Sequence, residues 1–174
     1  MHIFLSGASG VGKSTVIAKV LSRMDVTAGG FCSGYGPDRG EPNRLLYLWD
    51  AGNNPVFADD CAVACVTAHR PHVMQGRFDS LGCAALRRAR ETGAELIVMD
   101  ECGRLEREEL RFRAEVLACL DAATPVLGVV GRGEGEWPGA IRNHPNVTVL
   151  EVTQDNRDDL PDQIFAMLKG SAAQ

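Results

Sequence analysis

Several things are missing from this sequence, and each absence removes a class of protein. No run of about 18 apolar residues occurs, so no segment is expected to cross a bilayer as a helix. The first residues, Met1-His2-Ile3-Phe4-Leu5-Ser6, carry no cationic stretch and enter a glycine motif at once, which argues against a signal peptide and for a cytoplasmic address. There is no basic excess: the net charge of −5 argues against a primary role in gripping nucleic acid, though not against a local basic pocket for phosphates. Internal repeats and low-complexity segments are also missing. Six cysteines at 32, 61, 65, 83, 102 and 119, without a secretion signal, read as reduced thiols. Cys61, Cys65, His69 and His72 invite a metal reading, but Cys61–Thr67 has a strand-like sequence. Residues four apart on a strand lie roughly 13 Å apart, too far for one tetrahedral zinc.

What is present fits one globular domain spanning residues 1–174, with 45% apolar and 24% charged residues. Strands and helices alternate, which predicts an α/β fold with a mostly parallel sheet flanked by helices. Strands are expected at His2–Ser6, Leu96–Met99, Val126–Val130 and Val147–Val152. Helices are expected over Lys13–Met24, after Asp79 and Ser80 as caps, through Leu110, Ala114, Leu117 and Leu120, and from Leu160 to near Gly170. The second of these should turn Leu81, Ala84, Ala85 and Ala89 inward and end at Gly93. Phe31–Tyr35 and Arg44–Trp49, joined by a turn-rich connector, predict an antiparallel hairpin inserted into the α/β pattern.

Two constellations carry chemistry. Gly7-Ala8-Ser9-Gly10-Val11-Gly12-Lys13-Ser14 fits G-x-x-x-x-G-K-[ST] completely, between an apolar strand and an amphipathic helix. Glycines let the loop wrap so that backbone N–H groups converge on phosphates, and the helix start adds its positive dipole end. Lys13 is expected to reach the β- and γ-phosphates, Ser14 to ligate Mg²⁺, and Thr15 to follow in the cradle. The apolar strand Leu96–Met99 then closes on Asp100-Glu101, the pattern in which Asp100 holds Mg²⁺ and Glu101 orients or deprotonates an attacking water.

Other residues are candidates by position. The loop after Val147–Val152 borders the carboxyl ends of the strands, where such folds bind ligands. Asn156 there is a candidate for a base edge and Arg157 for stacking; the competing reading is a cap for the last helix. Arg132, flanked by Gly131 and Gly133, is a candidate for stabilising transition-state charge, in competition with Arg39, Arg44 and Arg104. Asp100-Glu101-Cys102-Gly103 also spells D-x-x-G, but no N-K-x-D occurs, which argues against a guanine-specific switch GTPase.

With these residues assembled, the chain resembles the small nucleoside-triphosphatase family that includes the human cancer-related NTPase and thermophilic homologues. The likeness rests on Gly7–Thr15, Gly30-Phe31, the run Asp100-Glu101-Cys102-Gly103-Arg104-Leu105-Glu106, Phe112 and Asn156-Arg157-Asp158. It implies a RecA-like P-loop fold and Mg²⁺-dependent hydrolysis of nucleoside triphosphates such as ATP and GTP, with loose base preference. One departure is Cys32-Ser33-Gly34-Tyr35-Gly36-Pro37-Asp38-Arg39, where the family usually carries T-x-E-x-R. A nucleotide or small-metabolite kinase is the alternative reading, and a non-catalytic nucleotide-dependent adaptor is a third.

Overall fold

The computed structural model describes residues 1–68, 70–133 and 135–172. One sheet of eight strands runs through them in the order β5-β4-β3-β2-β6-β7-β1-β8. The strands are β1 (His2–Ser6), β2 (Ala28–Tyr35), β3 (Arg44–Asp50), β4 (Ala62–Thr67), β5 (Arg70–Val73), β6 (Leu96–Cys102), β7 (Val126–Val130) and β8 (Val147–Glu151). From β2 to β8 across the sheet every pairing is parallel. On the other side β2, β3, β4 and β5 pair antiparallel. The expected RecA-like α/β fold with an inserted hairpin is therefore present, and the hairpin has grown by two further strands into an antiparallel wing.

Alternation along the parallel strands sorts their side chains into two cores. Ile3, Leu5, Leu96, Val98, Leu127 and Val129 meet Val16, Ile17 and Val20 of α1 (Lys13–Leu21) and Leu160, Ile164 and Leu168 of α5 (Leu160–Ala172). Phe4, Ile97, Met99, Val126 and Val130 face the other layer: α2 (Cys83–Glu91), α3 (Leu110–Leu120) and α4 (Glu136–Arg142). Burial on both sides is why these strands read as unbroken apolar runs. Gly30, at φ 101°, sits where a Cβ would collide with the Val98 carbonyl oxygen, so the β2–β6 contact requires glycine there.

Several local expectations are corrected. Helix α1 ends at Leu21 rather than Met24, its last carbonyls taken by a turn through Ser22, Arg23 and Met24. A π-helical turn, Phe78–Gly82, precedes α2, and Asp79 does not cap that helix. Its Oδ1 instead accepts the Phe112 N–H at 2.8 Å, at the start of α3. Glu109 returns the favour, accepting the Gly76 and Asp79 N–H groups at 2.9 and 3.2 Å. Each helix start is thus capped by the other's carboxylate. The inward faces also differ: α2 buries Cys83, Ala85, Leu86 and Ala89, whereas Leu81 and Ala84 are only half-buried. On α3 the buried stripe is Phe112, Val116, Cys119 and Leu120, while Leu110 is 68% exposed and Ala114 faces solvent. The Phe112 ring sets that rotation: it stacks edge-on to Phe31 at 5.2 Å and leaves no room for a Cβ at Gly82. Gly93 ends α2 as expected, at φ 70°, with Ala94 N–H returning to Ala89 O at 2.8 Å. Strand β5 and helix α4 had no counterpart among the expected elements.

Candidate functional site

The parallel strands β1, β6, β7 and β8 end on one rim, and the candidate residues collect there. The loop from Gly7 to Gly12 leaves β1 and turns into α1, with φ 111° at Gly12, a conformation that L side chains rarely adopt. Lys13 opens the helix, and its Nζ donates to the carbonyls of Gly7 at 3.1 Å and Ala8 at 3.0 Å. The ammonium is thereby held across the mouth of the loop.

Opposite it, β6 carries the two carboxylates. On a regular strand Asp100 and Glu101 would point to opposite faces. The β6–β7 register moves three residues on β6, Met99 to Cys102, against two on β7, Gly128 to Val130. This is a one-residue bulge at Asp100 and Glu101, and bulges re-aim side chains. Both carboxylates consequently fall within the field of Lys13. Asp100 is 6% exposed and lies beside the Ser14 hydroxyl. Burial pushes its carboxyl up to about 6, helped by the charge of Glu101 and opposed by Ser14 and Lys13. Glu101 is exposed, yet the protein around it still raises its carboxyl above the ordinary value, with Lys13 acting in the opposite sense. A hydroxyl and a buried carboxylate are hard oxygen donors, the type that suits Mg²⁺.

The arginines are engaged elsewhere. Arg132 pairs with Glu151 at 2.8 Å on the surface. Arg44 lies over the Tyr35 ring at 4.7 Å in the wing, and Arg39 and Arg104 are exposed. Sequence reasoning, which placed Arg142 with Arg132 near a possible lid, missed that it braces the site. Arg142 donates to Ser6 Oγ at 2.6 Å and to the Gly131 carbonyl at 2.8 Å, tying together the ends of β1 and β7. It also missed the burial of Glu106, 2% exposed, although the D-E-x-G-x-x-E spacing was the available signal.

The late loop divides its two candidates. Asn156 commits its amide to the turn, accepting Thr153 N–H at 2.8 Å and donating to Glu151 O at 2.9 Å; neither partner belongs to α5, so these bonds hold the loop rather than cap that helix. Arg157 leans over the phosphate loop, with its guanidinium 3.5 Å from Val11 O. With Gly12, Thr15, Val16, Lys19 and Asp158 it lines a cleft of about 150 Å³. Among the described residues, Cys61, Cys65 and His72 included, no group of three or more His, Cys, Asp or Glu could hold an ion. His69 and Glu134 lie outside the described residues.

The family model described as NTPase matches residues 2–165. The chain belongs to the NTPase family. Nucleoside-triphosphatase THEP1 of Thermotoga sp. strain RQ2 is 27% identical over 169 residues, covering 97% of this chain and 96% of that protein. Its namesake from Methanosarcina acetivorans is 28% identical over 176 residues, covering 94% of each. In three dimensions the NTPase fold extends to the crystal structure of THEP1 from Aquifex aeolicus, with a TM-score of 0.78 at 21% identity over 97% of this chain and 99% of that one. The solution structure of a human cancer-related nucleoside triphosphatase superposes with a TM-score of 0.69 at 25% identity over 98% of both. No helix among the described residues is long and apolar enough to cross a membrane.

Proposed function

We propose that this chain, acting as a single nucleotide-binding domain, hydrolyses nucleoside triphosphates to diphosphate and phosphate with Mg²⁺ and with broad tolerance of the base. The observation that supports this reading is the β6 bulge at Asp100 and Glu101, two carboxylates that both feel the charge of Lys13. The amides of Gly7–Thr15 cradle the phosphates, and Lys13 leaves the Gly7 and Ala8 carbonyls for the β- and γ-phosphate oxygens. Ser14 and Asp100 would hold Mg²⁺, which would supply charge neutralisation at the phosphates. Glu101 accepts a proton as the water oxygen bonds to the γ-phosphorus and the bond to the bridging oxygen breaks. Its raised pKa makes it a stronger base than an ordinary carboxylate.

Arg157 supplies a stacking surface that suits any base, while Asn156, spent on its turn, supports the loop rather than reading a base edge. Arg132 remains a candidate for the developing charge if it exchanges Glu151 for phosphate. The six free cysteines agree with a cytoplasmic setting.

The test is Glu101→Gln, which keeps shape and removes basicity. It is expected to bind Mg·ATP nearly normally while losing roughly 10²–10⁴-fold in single-turnover rate. Hydrolysis at the parental rate would remove Glu101 from the reaction.

A further inference from the structure

One buried carboxyl has no part in the mechanism above. Glu106 is 2% exposed, and among the described residues no cation pairs with it. A single oxygen, Oε1, accepts two hydrogen bonds: from the Gly103 N–H and from the Trp137 indole Nε1 at 3.1 Å. Gly103 opens the turn after β6, two residues beyond Glu101, and a Cβ placed on it would stand 3.4 Å from Glu101 Oε1. Across the turn a Cβ on Gly131 would stand 3.3 Å from Gly103 Cα, so the turn lies against the end of β7. Trp137 is itself immobilised in α4, 2% exposed, with the Arg113 guanidinium 5.2 Å over its ring.

Burying a carboxyl costs free energy unless its hydrogen bonds repay it, and a leucine would fill the same space without that cost. What a leucine lacks is a single acceptor that joins the turn to α4. We propose that Glu106 is a positioning residue: by holding Gly103 and Trp137 on one oxygen, it fixes the turn that keeps the Glu101 carboxylate at the phosphate cleft. This rests on the reading of Glu101 as the water-activating group.

A double-mutant cycle tests it, with single-turnover hydrolysis and Mg·ATP binding measured for Glu106→Ala, Glu106→Gln, Glu101→Gln and the pair Glu101→Gln/Glu106→Ala. Glu106→Ala is expected to lose about 10²-fold in rate, the scale of a 1 Å misplacement, with binding within about threefold of the parent. Glu106→Gln, whose amide oxygen accepts both bonds, restores the rate to within about threefold. In the pair, Glu106→Ala adds nothing to the loss already caused by Glu101→Gln. A parental rate in Glu106→Ala, no rescue by Gln, or losses that multiply would each overturn the proposal. If Glu106→Ala does not fold, Glu106→Asp, one methylene too short to reach both donors, carries the same expectations. Glu101→Gln at the parental rate would sink the underlying reading instead. A slow Glu101→Gln beside a parental Glu106→Ala removes this inference alone.

Discussion

Five parallel strands and three antiparallel ones share one sheet, but the two parts are covered and loaded differently. In the central parallel strands β1, β6 and β7 both faces are sealed by helices, so strand interiors are apolar and polar groups sit at the strand ends. Phosphate loop, bulge, Arg142 brace and Arg157 all lie on that rim. In the wing, Leu46, Leu48, Val63 and Ala64 face the same core as α2 and α3. The reverse face is closed by a loop whose Phe57 packs edge-on against Tyr47 at 5.4 Å and Trp49 at 6.1 Å, while Phe57 remains 43% exposed. The parallel part therefore holds buried charge and pays for it in stability; the wing holds aromatic surface and no charged residue of the site. Chemistry and stability should accordingly respond to different substitutions.

The largest separation is expected from Lys13→Ala. Losing charge-assisted hydrogen bonds of about 1.5–3 kcal/mol each should weaken Mg·ATP binding by about 10³-fold, roughly 4 kcal/mol, with the melting temperature little changed. Calorimetric titration showing unchanged affinity would dissolve the phosphate-loop half of the comparison. Next is pH. Glu106 is raised from 4.5 to about 7 and Asp100 from 3.8 to about 6, both mainly by burial. A group raised on folding favours the folded state below its unfolded pKa, and that contribution disappears as pH climbs through the folded value. Stability is therefore expected to fall from about pH 3.8, where Asp100 begins to contribute, to about pH 7, by on the order of 3 kcal/mol from Glu106 alone. Urea titrations across that window should show Glu106→Gln flattening the slope; an unchanged slope would mean the carboxyl is not held as described. The smallest effect is assigned to the wing. Phe57→Ala should cost about 1–2 kcal/mol of stability, reflecting its half-exposed ring. Mg·ATP affinity should stay within twofold, and a tenfold loss would make the wing part of the site.

The contrast also explains what could be read from the chain. The phosphate loop is legible because its chemistry is local: glycines, Lys13 and Ser14 are consecutive, and a both-sides-buried strand announces itself. Short elements held by tertiary contacts are not. Arg70-Pro71-His72-Val73 offers no alternation, and becomes β5 only because β4 pairs with it. Pro138 and Gly139 mask α4, whose Trp137 and Ile141 are nevertheless buried. The Asp79 carboxylate looked like a cap for the next helix, but its partner is Phe112, 33 residues away. Leu110 matched the period of α3 as well as Phe112 did, and only the aromatic contact with Phe31 decides between them. Glu106 was visible as a letter in a motif, yet glutamate is rarely buried, so the D-E-x-G-x-x-E spacing alone did not reveal its burial.

The central claim, that the cleft at the Lys13 end of β6 hydrolyses nucleoside triphosphates, is tested most directly by following the γ-phosphate. Each of ATP, GTP, CTP and UTP, labelled at that position, is incubated with the protein, with and without Mg²⁺ and with and without a panel of hydroxyl acceptors. The expected result is free phosphate from all four, dependent on Mg²⁺, independent of acceptor, and with kcat/KM values within about a thousandfold of one another, on the order of 4 kcal/mol. Label carried onto an acceptor, with no free phosphate in its absence, would contradict the account and make the protein a phosphotransferase.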